Sequence, residues 1–176
     1  MKKKILVIIT MTFFSVILNA QETEEFKRKV SFAVTAGYLN FTMSQKPDAA
    51  PSIKLFSENS FFVGINTDFT LSKKIHIQPS VLYSTGDRFE FLHIPVMFKY
   101  YVKPSFNLQL GPQLSYDLDK LHAKGVGLDL GAGFGYDLSK HFFVEGRYNY
   151  ELTNRSELEN LTVKNNTFTL GIGYKF

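Results

Sequence analysis

The sequence predicts an all-β fold, an eight-stranded antiparallel up-and-down barrel preceded by a cleaved N-terminal segment. Three observations lead to this fold class. Apolar and small or polar residues alternate with a period of two through most of the chain, no long stretch shows helical periodicity, and short connections alternate with longer ones. The 156 residues after Ala20 are enough for one domain.

The first 20 residues predict a secretory signal peptide. Three lysines, Lys2 to Lys4, precede an apolar stretch, and Ala20 is a small residue directly before the polar sequence Gln-Glu-Thr-Glu-Glu. A single membrane anchor is the alternative, but the apolar stretch is shorter than the roughly 20 residues that a spanning helix needs. We therefore expect cleavage after Ala20 and a mature barrel domain of residues 21–176.

Charge and cysteine content exclude several classes of protein. Removal of the signal peptide leaves 17 basic against 16 acidic residues, so the net charge falls from +4 to +1. The remaining Lys and Arg are scattered, which excludes a nucleic-acid-binding surface. The chain has no Cys, so it is neither a disulfide-stabilised scaffold nor a lipoprotein.

Alternation and turn residues together predict eight strands, each near or above the length that crosses a bilayer when tilted. The predicted strands are Val30–Phe41, Ser60–Leu71, Ile75–Ser84, Arg88–Val102, Phe106–Leu118, Lys124–Leu138, His141–Leu152 and Lys164–Phe176.

Each predicted strand has one apolar and one wettable face, as in the last ten residues, T-F-T-L-G-I-G-Y-K-F. A soluble lipocalin-like barrel would turn the apolar face inward. We expect the reverse, a transmembrane β-barrel. The polar face is small and rich in glycine, especially from Gly127 to Gly135, as a narrow packed lumen requires. Aromatic residues concentrate near strand ends, and pairing of the last strand with the first leaves no open edge.

The connections predict which end of the barrel faces the cell surface. Short turns at 72–74, 103–105 and 139–140 alternate with longer connections, which include loops at Thr42–Asn59 and Thr153–Val163. In outer-membrane barrels the short turns are periplasmic and the long loops extracellular. An even number of strands then places both termini in the periplasm. Within strands, Pro79, Pro95 and Pro112 predict bulges or sharp bends, because proline has no N–H for the ladder.

Charged residues on the inward faces predict a compensating network in the lumen. An isolated buried charge is costly, so we expect these side chains to pair with one another and to stabilise the barrel, with a role in conduction as the alternative. The predicted lumen charge network consists of Asp68, Lys99, Asp129, Glu145 and Arg147.

No catalytic, cofactor or metal site is predicted. The rim offers His122 with Asp119 and Ser84 with Asp87, but no motif joins either pair. The other histidines are single residues without the spacing of a metal site. They are His76, His93 and His141.

Several segments resemble the PorT-like outer membrane beta-barrel domain family and, more distantly, the small OmpA/OmpX-type barrels. These segments are F-L-H-I-P-V-M-F-K-Y-Y, Q-P-S-V-L-Y, L-G-P-Q-L-S-Y and the terminal G-I-G-Y-K-F. The resemblance covers essentially the whole mature chain. It implies location in the outer membrane, contact with membrane lipid and lipopolysaccharide, and a C-terminal signal at Tyr174 and Phe176 that the barrel-assembly machinery reads.

The combined expectation is a monomeric, non-enzymatic outer-membrane protein that acts as a structural or binding module. We expect it to act through the loops Thr42–Asn59 and Thr153–Val163, with envelope or secretion proteins as partners. Two alternatives stay open. One is an accessory role in protein secretion, which the PorT-like resemblance implies, and the other is a narrow porin-like channel.

Overall fold

The computed structural model describes residues 29–47, 51–119, 125–156 and 161–176, and the predicted signal peptide and His122 lie outside them. Within these residues the chain forms eight strands. They are β1 Val30–Pro47, β2 Ile53–Thr70, β3 Ile75–Thr85, β4 Glu90–Lys103, β5 Phe106–Asp117, β6 Val126–Asp137, β7 Phe142–Glu151 and β8 Leu161–Lys175. In the described part of the chain, no helix has the length and apolarity needed to cross a membrane.

The eight strands form a closed antiparallel barrel in which each strand pairs with the next one in sequence. The last strand returns to the first: β8 pairs with β1 from Ala33↔Lys175 to Pro47↔Leu161. Closure gives every strand two neighbours, so the backbone N–H and C=O groups in the wall find partners without water. The predicted fold class is confirmed.

The outward face of the barrel carries an apolar belt. On β8 the outward residues from Phe168 to Phe176 are all apolar, and Phe176 is 75% exposed. On three other strands the outward-facing part of the belt also runs over nine residues, from Val30 to Tyr38, from Phe61 to Phe69 and from Phe142 to Tyr150. About nine to eleven tilted residues cross a bilayer. The apolar side chains therefore face lipid, and the soluble alternative with an inward apolar face is wrong.

The predicted loop Thr42–Asn59 is wrong, because most of it is strand. β1 continues to Pro47 and β2 already begins at Ile53, and their ladder reaches Gln45↔Ile53. β8 begins at Leu161, inside the other predicted loop. Three strands thus extend beyond the apolar belt on one side. We call this extension, residues 39–47, 53–60 and 161–167, the overhang.

The prolines interrupt the ladders without shifting them, so the predicted bulges at these positions are wrong. The β3–β4 ladder skips from Pro79↔Val96 to Leu82↔His93, and the β4–β5 ladder skips from Pro95↔Gln113 to Phe98↔Leu110. The register is the same on both sides of each gap. Register shifts occur instead between Met43 and Ser44 and between Tyr101 and Lys103. A missing N–H donor therefore opens the ladder locally but inserts no residue.

Closure between β1 and β8 can be tested with paired cysteines, because the chain has none of its own. Thr42 and Asn166 are direct ladder partners. We expect the Thr42→Cys/Asn166→Cys variant to form an intramolecular disulfide on oxidation, because direct partners lie within disulfide reach. Thr42→Cys/Thr162→Cys, offset by about 13 Å along the strand, is the control. Equal crosslinking of both variants, measured by mass spectrometry, would contradict the register.

Candidate functional site

The lumen is filled by side chains. Two small cavities lie among the inward side chains, and each has a volume of about 10 Å³. One lies between Leu39, His93 and Arg147, and the other between Asp68, Lys99 and Phe143. About 10–15 Å³ is the minimum for a single water molecule. The described lumen is therefore a packed interior, and its chemistry depends on which side chains meet there.

Charged side chains occupy the end of the lumen where β1 begins and β8 ends. The two oxygens of Asp68 face different partners: Oδ1 lies 2.6 Å from His76 Nδ1, and Oδ2 lies 3.5 Å from Lys99 Nζ. Lys175 Nζ lies 2.7 Å from Asp137 Oδ1. Both ammonium groups approach the ring of Phe143, that of Lys99 to 5.7 Å from the centroid and that of Lys175 to 5.4 Å. This end is closed by ion pairs around an aromatic ring.

Another buried ion pair lies on the inward face of β7. Arg147 Nη2 donates to Glu145 Oε2 over 2.7 Å, and Arg147 Nε donates to Gln109 Oε1 over 2.8 Å. Both charged residues are buried. Gly133 lies beside them, and a Cβ there would come within 2.2 Å of the Gly146 carbonyl oxygen and 2.9 Å of Arg147 Cγ. The glycines of β6 thus provide the space that the inward arginine fills, as the sequence predicts.

Asp129 is held by hydrogen-bond donors. Ser115 Oγ donates to Asp129 Oδ2 over 2.5 Å, and Gln113 Nε2 donates over 2.9 Å. The chain of contacts continues from Ser115 Oγ to His93 Nδ1 and from His93 Nε2 to Ser84 Oγ, each over 3.0 Å. These are the residue types of a hydrolytic triad, but Ser115 separates the histidine from the carboxylate and Ser84 is fully buried. The arrangement satisfies polar groups inside the barrel.

Of the two rim pairs considered from sequence, Ser84 with Asp87 does not come together, and the pair of His122 with Asp119 cannot be placed because His122 lies outside the described residues. Ser84 points to His93, whereas Asp87 is exposed and its backbone N–H donates to Glu58 Oε1. Asp119 is also exposed. His141 stacks on Tyr174 at a ring distance of 5.6 Å. No three His, Asp or Glu side chains within the described ranges are grouped to hold a metal ion.

Sequence reasoning missed a buried ion pair at the overhang end. Arg155 Nε donates to Glu151 Oε1 over 2.5 Å, and both side chains are almost completely inaccessible. The guanidinium also lies 5.4 Å from the centroid of the Phe91 ring. At Gly127 a Cβ would overlap both Glu151 Oε1 and Arg155 Nη2. Arg155 falls within the predicted loop Thr153–Val163, where nothing in the local pattern indicates an inward side chain.

An apolar cluster fills the lumen beside Arg155, where a polar interior is predicted. Phe41 stacks on Phe89 with a centroid distance of 4.6 Å and on Phe91 at 5.4 Å. One sequence signal could have identified it: Leu39 and Phe41 have the opposite parity to the lipid-facing residues of β1. The cluster closes the overhang end of the barrel. Its buried members are Leu39, Phe41, Phe62, Leu82, Phe89 and Phe91.

The two C-terminal aromatic residues face outward. The ring of Tyr174 lies 5.5 Å from that of Phe176 and 5.2 Å from that of Phe142. The backbone N–H of Phe176 donates to the Phe32 carbonyl oxygen over 2.9 Å, which holds the end of the chain against β1. These residues belong to the lipid-facing wall. Their recognition by the barrel-assembly machinery stays a prediction from the family resemblance.

Removal of Arg155 should destabilise the barrel, because Glu151 would then keep a buried charge without its partner. We expect Arg155→Ala to lower the free energy of unfolding by about 3–5 kcal/mol, measured by urea titration in detergent micelles. Arg88→Ala is the matched control, because Arg88 is exposed and its guanidinium lies over the Phe56 ring at 5.8 Å from the centroid. Similar losses in the two variants would contradict a special role for the buried pair.

Comparison with solved structures finds barrels of the same shape. Ail, the attachment invasion locus protein of Yersinia pestis, is 17% identical with a TM-score of 0.51, over 84% of this chain and 99% of that protein. Neisserial surface protein A is 16% identical with a TM-score of 0.50, over the same shares of the two chains. At this level of identity the likeness concerns the fold alone. No match is found among curated protein sequences.

A family-level match covers nearly the whole sequence. The profile of the family described as "Outer membrane protein beta-barrel domain" matches residues 6–176. The closed eight-stranded wall and the apolar belt agree with this match. The chain therefore belongs to the outer membrane protein beta-barrel domain family and is a protein of the outer membrane.

Proposed function

We propose that this protein is a non-enzymatic, membrane-embedded binding module that presents the overhang at the cell surface. One observation carries the proposal: β1, β2 and β8 continue beyond the apolar belt, while the inward side chains below them are buried and two described cavities among them have volumes of about 10 Å³ each. The overhang extends the strands by seven residues or more, which is about 20 Å along the strand direction. In the described part of the chain, these three strands therefore provide the largest strand surface beyond the apolar belt.

The proposed orientation follows from the connections. The strands at the end opposite the overhang are joined by tight turns, closed by the bonds Leu71 N–H to Ile75 O and Leu138 N–H to Phe142 O. Short turns are periplasmic in outer-membrane barrels. In this orientation both termini lie in the periplasm, and the signal peptide predicted at residues 1–20 exports the chain.

The overhang offers contact groups that a partner protein can use. In the described structure, the ladder between β2 and β3 begins at Phe61↔Thr85, so residues 53–59 of β2 pair only with β1. Ile53 and Leu55 in this segment are 56% and 46% exposed. A strand edge with free backbone groups and apolar side chains can add an extended segment of another protein. An envelope protein with such a segment is the partner class that this surface favours.

The filled lumen argues against the narrow-channel alternative. Conduction needs a continuous wet path, and here the inward side chains of Arg147 and Glu145 and the apolar cluster are buried inside the barrel. The secretion-accessory alternative remains compatible with the proposal, because a surface binding module can act in secretion by holding another protein.

The proposal can be tested by photo-crosslinking in intact cells. A photoreactive amino acid at Leu55, which is 46% exposed, should give a protein adduct in the purified outer membrane, whereas one at Leu138, which is 55% exposed at the opposite end, should not. Absence of any adduct from Leu55, or single-channel steps from the pure protein in planar bilayers, would contradict the proposal. Capture of a secretion component, together with loss of surface proteins in a deletion strain, would support the accessory role.

A further inference from the structure

The outward face of the barrel changes from apolar to polar residues directly above the apolar belt. On β1 the outward residue after Tyr38 is Asn40, and on β2 the one before Phe61 is Asn59. Tyr38 Oη donates to Asn59 Oδ1 over 2.6 Å, and Asn40 Nδ2 donates to the same oxygen over 2.8 Å. Because this step lies where the lipid-facing wall ends, these amide and hydroxyl groups lie at the level of lipid headgroups.

Ladder partners share a face, so the register gives the rows of side chains above this step. Thr42 pairs with Ser57 on one side and with Asn166 on the other. In the next row, Ser44 pairs with Lys54 and with Lys164. The two lysines are therefore neighbours across three strands, separated by about 10 Å between their backbones.

The register shift between β1 and β2 determines this arrangement. Met43 pairs with Phe56 but Ser44 pairs with Lys54, so Leu55 is the extra residue. Without the register shift, Lys54 would face inward, as Phe56 does. The bulge thus brings Lys54 to the outward face, in line with Lys164. Lys46, which pairs with Thr162, is on the same face one row further from the membrane.

The resulting surface is basic. Its described outward residues are Asn40, Thr42, Ser44, Lys46, Lys54, Ser57, Asn59, Thr162, Lys164 and Asn166, and none of these is acidic. On the β3–β4 side of the rim, by contrast, the outward ionisable residue Glu90 is acidic and receives a hydrogen bond from Tyr83 Oη. The β3–β4 connection exposes Arg88 together with Asp87, so the charge there is mixed, whereas the described outward face of the overhang carries lysines without a carboxylate.

Lys164 is oriented by a neighbouring aromatic ring. Its Nζ lies 4.7 Å from the centroid of the Tyr150 ring and 3.2 Å from Tyr150 Oη. Tyr150 is the last residue of the apolar belt on β7 and is 46% exposed. The ammonium group is thus held at the upper boundary of the lipid-facing wall, within reach of a headgroup beside it.

From this arrangement we propose that the outward face of the overhang binds the phosphate groups of a phosphorylated glycolipid in the surrounding leaflet. Lys46, Lys54 and Lys164 provide the positive charge, and the Asn, Ser and Thr side chains provide hydrogen bonds to sugar hydroxyl groups. The occupant is a membrane lipid, because the surface continues directly from the lipid-facing wall. This inference is independent of any protein partner of the overhang.

Native mass spectrometry of the purified full-length protein can test the site. The probes are a lipid A disaccharide with two phosphates and the same lipid after enzymatic removal of both. We expect the wild type to retain the phosphorylated form on the order of tenfold more, since each lysine beside an anionic headgroup favours its binding. The variant Lys46→Gln/Lys54→Gln/Lys164→Gln should lose this preference, and added salt should weaken it.

The matched control removes the same charge from the opposite rim. Lys74, Lys103 and Lys140 are exposed there, and the variant Lys74→Gln/Lys103→Gln/Lys140→Gln should keep the wild-type preference. Heat-modifiable migration on a gel verifies that each variant is folded. Equal retention of the two lipids by the wild type, or the same loss in both triple variants, would overturn the proposal in favour of nonspecific attraction by net charge.

Discussion

Closure of the backbone ladder between β1 and β8 is the interaction on which the rest of the structure depends. In hydrocarbon, each unpaired N–H or C=O group is costly, and a sheet with two open edges would carry a row of them at every depth of the membrane. The ladder from Ala33↔Lys175 to Pro47↔Leu161 removes both edges. The chain can therefore place Phe32, Phe61 and Phe176 in contact with lipid, where a soluble protein would bury them.

A barrel of only eight strands has a narrow interior, and this narrow interior determines which residues can line the lumen. Large inward side chains need space, so some neighbouring positions must be glycine. Gly133 beside Arg147 and Gly127 beside Arg155 are such pairs. The buried charges of Arg147 and Arg155 meet carboxylates there, since an isolated buried charge would be costly. Ion pairs near the termini and an apolar cluster near the overhang together leave the described lumen closed at both ends.

The sequence predicts the strands well, because the two-residue alternation reflects directly which side of the wall meets lipid. Seven of the eight observed strands begin within three residues of the predicted position. The error at Thr42–Asn59 has the same cause. Above the membrane the outward residues become polar, so the contrast between faces disappears while the strand continues. The alternation of apolar and polar residues therefore indicates which part of a strand contacts lipid. It ends at the membrane boundary, although the strand continues beyond it.

The lumen was less predictable, because the inward neighbours of a residue depend on register and tilt. Alternation predicts an inward face for Lys99, Asp68, Arg147 and Glu145, but the pairing of Lys99 with Asp68 and of Arg147 with Glu145 comes from the structure alone. Asp129 meets Ser115 and Gln113, and no spacing in the sequence indicates this. Arg155 and Phe41 were missed for different reasons. Arg155 reaches the lumen from a segment expected to be a loop, whereas Phe41 ends the first predicted strand and is an apolar residue on a face that was expected to be polar.

The central claim is that a closed, filled barrel presents the overhang outside the cell, and cysteine accessibility tests it most directly. Three single-cysteine variants place the thiol in the overhang (Ser57→Cys), in the opposite turn (Lys74→Cys) and in the lumen, where Met97 is 0% exposed (Met97→Cys). A maleimide too large to cross the outer membrane is applied to intact cells. The account predicts labelling of Ser57→Cys alone, with Lys74→Cys labelled after permeabilisation and Met97→Cys only after denaturation. Labelling of Lys74→Cys in intact cells, or of Met97→Cys in the folded protein, would contradict it.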